Sequence, residues 1–221
     1  MKKHFAFAAL ISAALLFGGC SADNSNVAGY DAVMAVRKNA ASADSGHYSV
    51  INNSTGISEQ EFTYFYDKNN KLHYLCTGVS DGSEYREYYT GTDLYTEQNG
   101  ALKSDNTVVY NRKSTHPFAD GQLFFMLPEC ISDSRCDEAD GETVYTYDYD
   151  TEKLADKFES LNGLTAFSAE YRFDSDGNFA DFVQNSTVTD NGKTTENSYT
   201  VTFDRVNEIT DIPDPFREKQ E

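Results

Sequence analysis

Gly78-Val79-Ser80-Asp81-Gly82 matches the G-x-S-x-G string, in which a serine nucleophile sits on a sharp strand-to-helix turn. The chemistry would be acyl transfer, with an acid and a histidine following in an α/β context. Here both flanking segments read as strands, so the string marks a hairpin turn and no catalytic residue is assigned. Asp174, Asp176, Asn178 and Asp181 offer oxygens to a calcium ion, but Gly177 comes too early and no Glu closes the loop. A plain turn is expected there. The acidic run Asp133, Asp137, Glu138, Asp140 and Glu142 reads as a solvated loop. His47, His73 and His116 fall on separate elements, with no Cys or His at zinc spacing. No metal and no cofactor are expected, and the chain is read as a non-enzyme. Tyr85, Tyr88, Tyr89 and Tyr95 suit either a carbohydrate or partner surface or, more simply, packing on strands.

The four cysteines carry the remaining chemistry. Lys2 and Lys3 precede an uncharged apolar run, Phe5 to Phe17, too short to span a bilayer. Gly18, Gly19 and Cys20 follow at once. This is a secretory signal over residues 1–19, and Leu16-Phe17-Gly18-Gly19-Cys20 resembles a bacterial lipobox. The Cys20 thiol then takes a diacylglyceryl group and becomes the mature N-terminus. The domain is thereby expected on the extracytoplasmic side of a membrane, held by its lipid. Residues 20–27 are the lipidated cysteine and a short polar tether, whose seven residues from Ser21 to Val27 reach at most about 25 Å. Cys130 and Cys136 lie close in what reads as loop, and export to an oxidising compartment favours a disulfide between them. Cys76 alternates with Leu72 and Tyr74 and is read as a small core residue.

The 221 residues carry a formal charge of −18. Loss of residues 1–19 removes two lysines and no acid, leaving 16 basic against 36 acidic residues, or −20. Such a charge argues against nucleic acid and against anionic headgroups as partners. Trp is absent, while Tyr and Phe number 15 each, a composition that suits strands with one wet edge.

Helical spacing of Tyr30, Val33, Val36 and Ala40 predicts a helix over 28–42, ended by Ser45-Gly46. A meander follows, with strands at 47–51, 61–67, 71–77, 84–90 and 93–97 and a hairpin at Asn99-Gly100. Thr107 to Tyr110 is a further strand, and His116 to Met126 a short helix. Residues 129–142 read as acidic loop. Thr143 to Tyr149 is a strand, and Asp150 caps a helix over 151–161 lined by Leu154, Phe158 and Leu161. Three strands close the chain, at 165–174, 179–189 and 198–205. They are joined by the turns Ser175-Asp176-Gly177-Asn178 and Asp190-Asn191-Gly192-Lys193. One domain over 28–215 and a charged tail over 216–221 are expected.

The helix after the N-terminus, the long meander, the hairpin AEYRFDSDGNFADF, the strand VTFDRV and the Ile209-x-x-Ile212-Pro213 ending resemble the LolA/LppX-type lipoprotein-carrier superfamily. The resemblance covers most of 28–215 in element order. It implies a mainly β (α+β) fold: a curved antiparallel sheet, a half-open barrel, with helices over its concave face. It also implies an apolar concavity that holds a lipid or other amphiphile. Phe62, Tyr64, Leu72, Tyr74, Phe167, Tyr171, Phe173, Tyr199, Val201 and Phe203 share the inward phase and are expected to line it. The alternative is a protein- or glycan-interaction module whose core is filled by its own side chains.

Overall fold

Alternating aromatic and polar residues cannot bury one side as a helix, so these segments pair into a sheet. The computed structural model describes residues 26–80, 82–110, 126–139, 141–158, 161 and 163–217. Its strands are β1 (Ser45–Asn52), β2 (Ile57–Tyr66), β3 (Leu72–Ser80), β4 (Ser83–Tyr89), β5 (Leu94–Gln98), β6 (Ala101–Asp105), β7 (Ile131–Ala139), β8 (Glu142–Tyr149), β9 (Leu164–Phe173), β10 (Phe179–Asp190) and β11 (Lys193–Asp204). They follow the order β6-β5-β4-β3-β2-β1-β11-β10-β9-β8-β7, an eleven-stranded sheet with β6 and β7 at its edges. The two α-helices among the described residues are α1 (Tyr30–Ser42) and α2 (Thr151–Lys157), and Pro128–Cys130 forms a short 3-10 turn. The mainly β reading therefore holds. Cys20 and the stretch from His116 to Phe125 lie outside the described residues.

Tight turns set the register. Asn99 and Gly100 both take positive φ, as do Asn191 and Gly192, the conformation that two-residue hairpins require. Two longer turns share one device. Asp67 Oδ1 accepts from the amides of Asn69 and Lys71, and Asp174 Oδ1 accepts from those of Asp176 and Asn178. Both Asp174 oxygens are engaged within the turn, Oδ2 by the Asn178 side chain at 3.3 Å. The G-x-S-x-G string ends β3, with Ser80 paired to Ser83 of β4, so strand follows strand.

The chain gathers into two compact units. One comprises Met1–Ala41, Asn52–Thr55 and Pro117–Val201; the other comprises Ser42–Ile51, Gly56–His116 and Thr202–Glu221.

In the first unit, the antiparallel ladders β7–β8–β9–β10 place Tyr145, Tyr171 and Phe182 abreast, with Tyr147 opposite Ala169. Tyr171 stacks on Phe182 at 5.5 Å, and Tyr149 meets Phe167 edge-on at 5.2 Å. The chain entering α1 lies against this face. A Cβ on Gly29 would overlap the Tyr145 ring, and the Tyr147 hydroxyl donates to the Ala28 carbonyl at 2.6 Å. Val33 of α1 and Leu154 of α2 are fully buried. Asp150 caps α2 as expected, accepting from the amides of Glu152 and Lys153. The helix is shorter than the sequence suggested, closing at Phe158.

Two expectations fail here. Residues 131–139 are strand β7, not loop. Its charges made it look like loop, but charge is what protects a sheet edge from further pairing. The disulfide fails with it. Cys130, Cys136 and Cys76 are free thiols, Cys130 buried at the head of β7 and Cys136 exposed within it. An extended strand separates positions 130 and 136 by roughly 20 Å, against the ~7 Å a bridge allows.

In the second unit, strands β2 to β5 form an antiparallel meander. The β2–β4 face bearing Phe65, Leu75 and Tyr88 is covered by the chain after β11. Tyr88, Ile212 and Phe216 form a core there, with Phe65, Leu75, Tyr95, Leu102 and Ile209 packed against it. Arg86 lies over the Phe216 ring at 5.8 Å. Asn207 anchors this tail: its side chain accepts from Asp44 N at 2.7 Å and its amide donates to Ser45 O at 2.9 Å. Residues 107–110 are irregular, not the expected strand. Ser45-Gly46 opens β1 where it was expected only to end the helix, and Gly46 is required because the Phe203 ring lies against it. His47 Nε2 sits 2.8 Å from Glu61 and its Nδ1 3.0 Å from Asp204, joining β1 to the adjoining strands β2 and β11.

Candidate functional site

The face of the second unit opposite the tail carries an unbroken aromatic row. Strand register aligns Phe62 with Cys76, Tyr64 with Tyr74, and Tyr74 with Tyr89. Tyr48 of β1 stacks on Phe62 at 5.0 Å, and Phe62 stacks on Tyr74 at 5.0 Å. Tyr74 leans on Tyr89 at 5.8 Å, and Tyr110 meets Tyr89 edge-on at 4.7 Å. Tyr48, Tyr64, Leu72, Tyr74 and Tyr89 are buried.

Polar groups converge on this apolar row. Glu87 stands opposite Cys76 and shares the phase of Tyr85 and Tyr89. Tyr74 donates to Glu87 Oε2 at 3.4 Å and shares a hydrogen bond with the Tyr110 hydroxyl at 3.1 Å. Gln60 donates to Cys76 Sγ at 3.4 Å, and the Tyr85 hydroxyl lies 3.8 Å from it. The Tyr85 ring crosses Gly78, where a Cβ would meet both that ring and the Glu59 carbonyl.

Burial dominates the electrostatics. It raises the Glu87 carboxyl above the usual range, against the pull of the Tyr74 hydroxyl. It pushes the Cys76 thiol up to about 11, opposed by the bonds from Gln60 and Tyr85. The hydroxyls of Tyr48, Tyr74, Tyr85 and Tyr110 also titrate higher than free tyrosine, again chiefly through burial. The Cys76 thiol stays protonated at neutral pH and is no nucleophile. The set is a field of neutral donors and acceptors around one carboxyl, embedded in rings.

The ten expected lining residues separate. Phe62, Tyr64, Leu72, Tyr74 and Phe203 belong to the second unit, and the first four share the row just described. Phe167, Tyr171, Phe173, Tyr199 and Val201 belong to the first unit, where Tyr171 has no exposed surface. Sequence reasoning passed over Tyr48, Gln60, Glu87 and Tyr110, and read Tyr85 and Tyr89 only as a carbohydrate or partner surface or as strand packing. The available signal was Glu87 itself, a charge in phase with two tyrosines. Among the described residues no group of three or more His, Cys, Asp or Glu side chains is placed to hold a metal ion.

No family model matches the sequence, and no curated protein matches it. Solved structures do. LprF from Mycobacterium bovis is similar with a TM-score of 0.50 at 12% identity, over 84% of this chain and 95% of that one. The Mycobacterium tuberculosis lipoprotein LppX is similar with a TM-score of 0.46 at 13% identity, over 83% and 99% of the two chains. The resemblance to the LolA/LppX-type carriers holds as a likeness of fold.

Proposed function

We propose that this protein is an extracytoplasmic lipoprotein, anchored by a diacylglyceryl group on Cys20, that binds an amphiphile against its inward aromatic surface. Phe62, Tyr64, Leu72, Tyr74 and Phe203 offer such a surface in the second unit, and Phe167, Tyr171, Phe173, Tyr199 and Val201 offer one of their own in the first. The reading rests on one observation above all: a carboxyl with an elevated pKa, Glu87, set among tyrosine hydroxyls on an otherwise aromatic face. Apolar walls with a few convergent polar groups are the mark of small-molecule sites. The rings suit an acyl chain, at roughly 0.8 kcal/mol for each buried methylene. Glu87 and Tyr110 suit its polar end. The fold resemblance supports the same ligand class, since the carrier superfamily is expected to hold a lipid or acyl chain in an apolar concavity.

The runner-up is an interaction module with a filled core. The tight ring packing around Tyr147, Tyr171 and Phe182 favours it for the first unit. Binding of a fluorescent fatty acid to the lipid-free Cys20→Ala form separates the two. The amphiphile reading expects saturable binding, weakened at least tenfold by Phe203→Glu and by Phe62→Glu in variants that still melt cooperatively. Well-folded protein with no saturable binding to acyl probes hands the account to the interaction module.

A further inference from the structure

The first unit carries a second feature, on the face away from Tyr147 and Ala169. Asp148 of β8 stands opposite Ser168 of β9, and Ser168 opposite Asn185 of β10. One step along, Thr187 stands opposite Ala166. With Glu196 and Ser198 of β11 these residues border an open groove of about 310 Å³. Cross-strand neighbours lie about 5 Å apart, so the row of three spans roughly 10 Å, the reach of one or two sugar rings. The volume sits at the small end of ligand sites, which run from about 300 to 1,000 Å³.

The lining chemistry narrows the ligand. The groove has no Lys, Arg or His in its wall, so an anion would meet the Glu196 carboxylate and an Asp148 carboxylate whose counter-charge is already engaged. Asp148 is already paired with Arg135 Nη1 at 2.9 Å, so the wall does not present two bare carboxylates to a cation. Its polar groups are hydroxyls and carboxamides, each able to donate and to accept, beside carboxylates that only accept, and Phe167 and Ala166 add an apolar strip of the kind a sugar ring's C–H face rests on. That set matches a neutral molecule dense in hydroxyls. We propose that this groove binds a mono- or disaccharide. The site uses the face opposite the aromatic core of its unit and stands whether or not an amphiphile is bound elsewhere.

The test is an amide-shift titration of the 15N-labelled Cys20→Ala chain with glucose, N-acetylglucosamine and maltose. At least one sugar is expected to give saturable shifts concentrated at residues 166–168, 185–187 and 196–198. Asn185→Ala, and Ser168→Trp, which fills the groove, should each weaken that response at least tenfold. Ser104→Ala, on the other unit, should leave it unchanged. The amide spectrum of each variant reports its own folding, and Asn185→Asp gives an isosteric check. The proposal is overturned if none of the three sugars saturates, if the variants respond like the parent, or if these residues respond to calcium chloride and not to sugar.

Discussion

Glu87 lies in phase with Tyr85 and Tyr89, on a face whose neighbours are aromatic. Burial there favours the protonated carboxyl, so the folded state holds this proton more tightly than the unfolded chain does. The sign follows. Glu87 adds stability below the ordinary glutamate pKa, and that increment is lost as pH rises through the elevated folded value. Asp67 and Asp174 work the other way. Amide hydrogen bonds lower their pKa values, so their contribution is lost as pH falls. Glu87→Gln is neutral at every pH and should remove the alkaline-side loss while leaving the acid-side loss in place. Urea midpoints of parent and variant across a pH series should therefore diverge as pH rises. A constant difference at all pH values would show that the carboxyl does not titrate as this environment requires. The sequence displayed Glu87 plainly, but alternation alone does not say which of two faces is inward when both carry rings.

Among the elements, the tail after β11 does more than its composition suggests. Read as a linear string, Ile209 to Phe216 is a proline-bearing ending that runs into a charged tail. In the fold, Phe216 is fully buried beneath Arg86 and packs near Tyr95 at 6.3 Å. The Tyr88 hydroxyl donates to the Ile212 carbonyl. Removing a large buried ring costs the transfer energy and leaves a cavity, so Phe216→Ala should destabilise the protein by about 3–5 kcal/mol. Denaturant unfolding measures this directly. A loss near zero would mean the tail merely rests on the sheet. The strands that were legible, β9 to β11, combine clean alternation with Asp-Gly or Asn-Gly turns. Strand β7 was not legible, because an edge strand needs no apolar face. With it went the disulfide, since two cysteines six positions apart meet only if the backbone between them folds back. The shared cover of Ile209, Ile212 and Phe216 depends on pairing distant in sequence, which local pattern does not encode.

For the whole molecule, the described residues give the sheet and two helices, while Cys20 lies beyond them. The anchor and the ligand are thus argued from chemistry: a small-small-cysteine ending after an apolar run, and aromatic faces that hold one carboxyl. Two acyl chains suffice for stable attachment, and a strongly acidic domain is repelled by an anionic surface. Both claims meet in one measurement, the intact mass of the protein extracted from its native membranes, first under native and then under denaturing conditions. The account predicts a denatured mass equal to the chain from Cys20 plus a diacylglyceryl group, and a native mass larger by a dissociable lipid. An unmodified chain that carries no small molecule would contradict it.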